Sequence, residues 1–401
     1  MLDGVFNHCG RGFWQFHHVL ENGDASPFAD WFHFDPDRLQ RRREFLPYPD
    51  KQTADALQRG VGSFEAIGYA AWWNLPALPK FNVRNPQVRE FLLSVAEHWI
   101  RFGIDGWRLD VPMEIDDDEF WRDFRRRVRA INPAAWIVGE VWGDGRRWLQ
   151  GDMWDGVMNY QVTAACLGYF GGQRLDFDEA RRPSGFGHIR PLSATEFAHE
   201  LERLELALPA RILQSQMNLL DSHDTPRFLT CVRNDTAALK MAWLLMCTLP
   251  GAPCVYYGDE IGMTGRHDPD CRRTFPQDRR VWDDSVREWY RDCIRLRHSH
   301  PALRRGTRRT LFADADVCIS LHQLGQDRLI VAFNSADVTR SADVAVADND
   351  AGSGVTASPS TEPATSVWRV WPDNRVVTRD SERHTLSVAI PARSALVLTA
   401  T

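Results

Sequence analysis

The 401-residue sequence has no long apolar run, no excess of positive charge and no paired-cysteine motif. The longest apolar stretch, around residues 242–249, falls well short of the ~20 residues that a membrane-spanning helix needs. A formal net charge of -6 argues against a nucleic acid or an anionic membrane as partner, since both favour basic surfaces. The eight cysteines form no CxxC pair and no metal-ligand cadence. They read as scattered, mostly buried thiols of a reducing compartment, which makes a cytoplasmic location the expectation. No charged segment, apolar segment and small-residue cleavage site open the chain, so no signal peptide is visible. There is no internal repeat beyond an alternation of strands and helices.

What remains is ordinary for a globular chain of two or three domains, with 43% hydrophobic and 25% charged residues. The sixteen tryptophans are many. Tryptophan is often simply core, but sugar-binding clefts also stack pyranose rings on aromatic faces, and composition does not separate the two.

The stretch 102–141 organises the rest. Residues 104–110 and 136–140 are short apolar runs ending in Asp110 and Glu140, with a helix-sized segment over 118–130 between them. A strand, a helix and a strand with an acid at each strand's C-terminal tip is how a parallel α/β barrel presents chemistry. Before it, Asn85-Pro86 predicts a helix start, and apolar residues Val88, Phe91, Leu92, Val95, Trp99 and Phe102 recur at helical spacing up to Gly103. Alternation along 104–110 sends Gly106, Arg108 and Asp110 to one face and Trp107 and Leu109 to the other.

Further strands are expected at 1–7, 156–159, 216–222 and 253–257, and helices at 196–208, 236–249 and 284–298. Residues 1–7 read as a buried strand. The segment 9–78 lacks long periodicity and reads as a small inserted domain lining a cleft. From about residue 303 short alternating strands predict a separate antiparallel β domain, with a disordered Ser/Thr/Pro/Ala-rich loop at 349–366. The expected division is an incomplete catalytic barrel over 1–302, including the insertion at 9–78, and a β-sandwich over 303–401. Six barrel strands can be counted, and a closed barrel of this kind needs eight.

Two carboxylates at adjacent strand tips suit hydrolysis of a glycosidic bond with retention. One acts as nucleophile, and the other protonates the leaving oxygen from roughly 5–5.5 Å away. Arg108, on the face of Asp110, would keep that carboxylate ionised, while the apolar neighbours Ile137, Val138, Val141 and Trp142 would raise the pKa of Glu140. On this reading Asp110 is the nucleophile and Glu140 the acid/base. The plainer alternative is that Asp110 only pairs with Arg108 and Glu140 caps a helix. A third polar strand end, Asp221-Ser222-His223-Asp224, and a fourth, Asp3 with Asn7-His8, favour a shared cleft over four separate structural roles.

The chain resembles the α-amylase family of glycoside hydrolases, and within it the neopullulanase, cyclomaltodextrinase and maltogenic amylase group. The matching blocks are LDGVFNHCG (2–10), LPKFN (78–82), GIDGWRLDV (103–111), GEVW (139–142), MNY (158–160), LLDSHDTPR (219–227), GAPCVYYGDEIGMTG (251–265) and DPDCR (268–272). The resemblance implies Asp110 as nucleophile, Glu140 as acid/base and Asp224 as transition-state stabiliser. It further implies that His8 and His223 hold sugar hydroxyls and that Arg108 orients the nucleophile. Asp268 and Arg272 would hold the glucose toward the non-reducing end. Trp142 and Asn159 would flank the cleft, with ordinary packing as their alternative.

The implied fold is a (β/α)8 TIM barrel with a small domain inserted after its third strand and a C-terminal antiparallel β-sandwich. The implied activity is cleavage of α-1,4 and potentially α-1,6 glucosidic bonds in maltooligosaccharides, cyclodextrins or pullulan through a covalent glycosyl-enzyme. The alternatives are an α-glucosidase, a sucrose- or trehalose-handling relative, or an inactive fragment that at most binds glucan. No cofactor is expected, although Asn7 matches a position that binds calcium in some members. Pro112-Met113 departs from the small or amide side chains usual on the acceptor side. Met1 matches the beginning of the family's third barrel strand, so the first two βα units and an N-terminal β domain that helps dimerisation are expected upstream. The chain then reads as N-terminally truncated, and a homodimer is an expectation for the full-length protein.

Overall fold

The computed structural model describes residues 1–41, 44–346, 367–372, 375–377 and 385–400. The tract 349–366 lies outside them. The chain forms two compact units, Met1–Val157 and Met158–Thr401.

The first unit is built on a parallel sheet of four short strands, β1 (Leu2–Gly4), β2 (Gly106–Leu109), β3 (Trp136–Gly139) and β4 (Gly156–Val157), in that spatial order. The Pro86–Phe102 helix begins where the sequence predicts, with the Asn85 side chain accepting from the amides of Gln87 and Val88. It stops at Gly103, whose φ of 111° is left-handed and costs a glycine little.

Its buried face is Val88, Leu92, Leu93, Ala96 and Ile100. This differs from the expected stripe: Trp99 is 37% exposed and Phe102 76%. Residues 88, 92, 96 and 100 lie one above another at four-residue spacing, which rotates Trp99 and Phe102 out to solvent and leaves Phe91 and Val95 half-buried, Phe91 against Phe13 and Trp31. The Asp118–Ile131 helix follows its pattern and buries Phe120, Trp121, Phe124 and Val128. Trp107 points outward from β2 as expected, edge-on to Phe6, 5.4 Å between ring centroids, and to Phe124 at 6.4 Å.

Strand β1 is shorter and more exposed than the buried run expected over 1–7. Leu2 is 38% exposed and Val5 42%, while Gly4 and Phe6 turn inward. Among the described residues β1 has a strand neighbour on one side only, β2, in register Asp3 with Arg108. The segment 9–78 is also more regular than its sequence suggests. It contains the Trp14–Asn22 helix and shorter helices at Pro36–Arg41, Lys51–Gln58 and Ser63–Ile67. Phe16, Phe32, Phe34 and Tyr69 pack together there as a cluster of rings.

The second unit carries a parallel pair, β5 (Met217–Leu219) and β6 (Ala252–Cys254), and the helices Ala194–Leu206, Thr236–Thr248 and Asp284–Ser299. A helix over Tyr160–Cys166, continued as a π turn over Leu167–Gly171, has no counterpart in the sequence reading. All but Gln161 of these residues are buried, so no amphipathic period marks it.

The change of rhythm near residue 303 corresponds to β7 (Thr307–Ala313), β8 (Val317–Leu324), β9 (Asp327–Asn334), β10 (Arg340–Ala345), β11 (Trp368–Trp371), β12 (Val376–Val377), β13 (Thr385–Ile390) and β14 (Ser394–Ala400). They form a six-stranded antiparallel sheet, ordered β12-β11-β14-β9-β8-β7, and the antiparallel pair β10-β13. Ile319, Ile330, Trp368 and Leu398 of one meet Ala342, Val344, Leu386 and Val388 of the other in a common apolar core, which is a β-sandwich.

Candidate active site

The register of the first sheet fixes the carboxylates. Leu109 lies beside Gly139, so the next residues, Asp110 and Glu140, leave adjacent strand ends together. Their amides still belong to the ladder, Asp110 donating to Gly4 O at 3.1 Å and Glu140 to Leu109 O at 2.9 Å. Each acid therefore sits on backbone held by its neighbour rather than on a free loop.

Arg108 is the centre of this cluster. It is 8% exposed, and its Nη1 donates to Asp3 Oδ1 at 2.7 Å and to Asp110 Oδ1 at 2.8 Å, while Nη2 lies 2.9 Å from Glu140 Oε2. Burial alone would lower the pKa of this guanidinium, but Glu140, Asp3 and Asp110 together carry it above its ordinary value. Glu140, 3% exposed, also accepts from the amide of Val111 at 3.1 Å. Val111 has φ 34° and ψ 51°, a left-handed conformation that a β-branched residue rarely adopts, and this turn aims its N–H at the carboxylate. The apolar pocket expected for Glu140 is thus corrected. Val138 and Val141 do flank it, but a guanidinium and a main-chain amide reach it from the neighbouring strand.

His8 faces Asp110, with Nε2 4.0 Å from Oδ2. Its Nδ1 lies 3.2 Å from Asn7 Nδ2, and its ring stacks on Trp72 at 4.8 Å and 5°. Burial lowers the His8 pKa, Asp110 and Glu114 oppose this, and Lys80 adds to it, so the ring stays neutral into stronger acid than a free histidine does. Trp142, half-buried, stands two residues beyond Glu140. Asn7 turns its amide nitrogen to His8. Among the described residues no group of three or more His, Cys, Asp or Glu side chains could hold a metal ion.

In the second unit the loop after β5 brings together the other expected residues. Asp224 Oδ1 accepts from Arg272 Nη2 at 3.0 Å, and its Oδ2 lies 3.1 Å from His223 Nε2. Arg272 Nε donates to the carbonyl of His223 at 2.9 Å and lies 2.7 Å from Asp268 Oδ1. One arginine thus ties Asp268 to the His223-Asp224 turn, leaving the Asp224 side chain 30% exposed. Asn159 is engaged differently. Its side chain caps the Tyr160–Cys166 helix, and its Nδ2 donates to Asn218 Oδ1 at 2.9 Å.

The sequence reading missed a buried cluster built from the two ends of the same loop. Arg227, 0% exposed, donates to Asp259 Oδ1 at 2.8 Å and lies over the rings of Tyr256 and Tyr257, 4.4 and 5.0 Å from their centroids. Asp221 Oδ2 accepts from the amide of Phe228 at 2.6 Å. Burial raises the pKa of both Asp221 and Asp259, and the charge of Asp221 beside it carries Asp259 well above the ordinary carboxylate range. The blocks LLDSHDTPR and YYGDE contain all three residues, but nothing in either shows that they meet.

The family model for the alpha amylase catalytic domain matches residues 1–300. The cyclomaltodextrinase of Geobacillus thermopakistaniensis is 41% identical over 318 residues, covering 79% of this chain and 47% of that protein. Neopullulanase 2 of Thermoactinomyces vulgaris is 39% identical over 314 residues, covering 78% and 47%. The native debranching enzyme of Nostoc punctiforme superimposes with a TM-score of 0.85 at 38% identity, over 100% of this chain and 75% of that one. The chain spans about half the length of the curated relatives it matches.

Proposed function

The chain belongs to the α-amylase family of glycoside hydrolases, and from that premise we propose that the protein is a retaining hydrolase of α-glucans. The observation that carries this reading is the Arg108 cluster. One buried guanidinium touches both the expected nucleophile, Asp110, and the expected acid/base, Glu140, with His8 beside the first.

In the proposed reaction Asp110 attacks the anomeric carbon while Glu140 gives its proton to the departing glycosidic oxygen, leaving a glycosyl ester on Asp110. Glu140 then takes a proton from water, and that water releases the sugar with its original configuration. Arg108 aligns Asp110 through its hydrogen bond, and the neutral His8 ring can hydrogen-bond a sugar hydroxyl. For Glu140 to hold a proton, substrate must displace Arg108 from it, which would leave that guanidinium to Asp3 and Asp110. Asp224 takes the role of stabilising the oxocarbenium-like charge on the strength of its motif, with His223, Asp268 and Arg272 binding sugar.

The names of the relatives point to cyclodextrins, pullulan and branched α-glucans as substrates, hence to α-1,4 and α-1,6 bonds. The reading includes a (β/α)8 barrel and homodimerisation for the whole protein. Eight thiols, six of them buried, suit a reducing, cytoplasmic setting. The deciding experiment assays cyclodextrin, pullulan, maltotriose and sucrose and follows the anomer released by NMR. Retention on α-glucans, lost in Asp110→Asn and Glu140→Gln, is the expected result. Inversion of configuration, or full activity in Asp110→Asn, would overturn the reading. Turnover of sucrose alone would favour the sucrose-handling alternative.

A further inference from the structure

A buried acid that the proposed reaction does not use stands beside the loop carrying Asp268 and Arg272. Glu179 lies on a four-residue helix, Phe177–Ala180, capped by the Asp176 side chain, and is 4% exposed. Asp176 N–H donates to Cys231 O at 2.8 Å and so sets this short helix against the Phe228–Cys231 helix. Glu179 Oε2 accepts from the amide of His267 at 3.3 Å. Its Oε1 lies 3.6 Å from Arg266 Nε and 3.9 Å from Arg182 Nε.

These contacts compensate a buried carboxylate thinly. The Arg266 and Arg182 side chains are 71% and 55% exposed, so water screens both pairs. A leucine or methionine would fill the same space without the loss of hydration that an acid suffers there. What the acid supplies, and an apolar side chain cannot, is an acceptor for the His267 N–H, one residue before Asp268.

The rest of the loop 265–272 is anchored at its two ends. Gly265 N–H donates to Thr230 Oγ1 at 2.8 Å, and Gly265 O accepts from Arg227 N–H at 2.9 Å. At the other end Arg272 holds the His223 carbonyl and Asp224. Between these ends the chain closes on itself, Arg266 N–H to Asp270 Oδ2 at 2.7 Å and Asp270 N–H to His267 O at 3.1 Å. Glu179 reaches this middle part from outside.

We propose that Glu179 is a positioning residue: by holding the His267 N–H it keeps Asp268, and with it the Asp268–Arg272 pair, in the geometry that receives the hydroxyls of the glucose toward the non-reducing end. It governs how tightly that glucose is held and leaves bond cleavage to other groups. This rests on the glucan-hydrolase reading.

The test separates the reach of Glu179 from its charge. Glu179→Gln keeps an oxygen within reach of His267 and loses the charge, whereas Glu179→Asp keeps the charge and withdraws it by one methylene. Maltotriose binding is read by calorimetry on the full chain carrying Glu140→Gln. It should weaken about tenfold when Glu179→Asp is added, equivalent to ~1.4 kcal/mol, and stay within about twofold with Glu179→Gln. In steady-state kinetics Glu179→Asp should raise the KM for maltotriose and spare that for a p-nitrophenyl α-glucoside, whose single glucose ends short of Asp268. Asp268→Ala should also weaken maltotriose binding, and Glu179→Asp should then add nothing further. Loss in Glu179→Gln with none in Glu179→Asp would overturn the proposal, because the acid would then serve Arg266 and Arg182. Equal KM changes for both substrates would overturn it too, since Glu179 would then brace the fold alone. If Asp268→Ala weakens binding and Glu179→Asp does not, the proposal fails and the glucan reading stands. If the chain binds no maltotriose, or Asp268→Ala loses none of it, the glucan reading of this loop falls and takes the proposal with it.

Discussion

Replacing Asp259 by asparagine should cost the second unit less than about 1 kcal/mol at neutral pH and benefit it as the pH rises. Asp221 and Asp259 are 2% and 5% exposed and share a single cation, Arg227, which is itself wholly buried. With both acids ionised the trio would carry an uncompensated buried charge, whereas one proton makes it neutral. An amide at 259 reproduces the protonated form: its Oδ1 can still accept from Arg227, and its Nδ2 can donate to Asp221. A carboxyl whose pKa burial raises contributes stability that is complete below the ordinary carboxylate range and is lost as pH climbs through the folded value. Asparagine does not titrate, so its advantage should grow with pH, by at most about 1.4 kcal/mol per pH unit. Arg227→Met, by contrast, strands two carboxyls without their cation and should cost about 3–5 kcal/mol. At roughly 2–4 °C per kcal/mol that is a large fall in Tm. Thermal unfolding followed by circular dichroism at mildly acidic, neutral and mildly alkaline pH measures both. If Asp259→Asn falls as far as Arg227→Met at every pH, the acids share no proton and the reasoning fails.

Two further perturbations act elsewhere. His322 on β8 is 2% exposed, and burial, with help from Arg308 and Arg297, lowers its pKa to about 3. A depressed histidine contributes stability above its ordinary value of 6.5 and loses it as pH falls toward 3, a swing of about 5 kcal/mol. His322→Gln, able to keep the contact to Ser320, should move the acid-unfolding midpoint to lower pH, and an unmoved midpoint would contradict this. A Cβ at Gly106 would come within 2.0 Å of the Trp136 carbonyl oxygen, so Gly106→Ala must push β2 off β3. It should cost at least about 1–3 kcal/mol and most of the activity, and a variant with wild-type Tm and turnover would refute the pairing.

The parts of this molecule written in local signals were legible from sequence. Asn85-Pro86 and Gly103 bound their helix because caps are local chemistry, and the Asp118–Ile131 helix follows from its own apolar period. Asp110 and Glu140 were legible because a strand's end and its last residue adjoin in sequence. The environment of Glu140 was not, because the group that decides it, Arg108, arrives from the neighbouring strand. The same holds for Arg227 and Asp259, whose meeting is a tertiary event across 32 residues. The Trp99 and Phe102 error has another cause. Several helical faces could be drawn through the apolar residues of 86–102, and packing chose the one with the small residue Ala96.

The three-carboxylate embrace of Arg108 has a consequence for how mutations in this protein combine. Asp3, Asp110 and Glu140 compete for one guanidinium, so removing any of them alters the partners of the other two. Deleting Asp110 leaves Arg108 to Asp3 and Glu140 alone and so tightens its hold on Glu140, the group that must yield a proton. A variant intended to remove only the nucleophile would then also disable the acid. Effects of single substitutions at these positions should not sum, and a double variant should be less impaired than the product of its parts. In evolutionary terms the trio is epistatic: Asp3 can drift only as far as Arg108 lets the two acids follow.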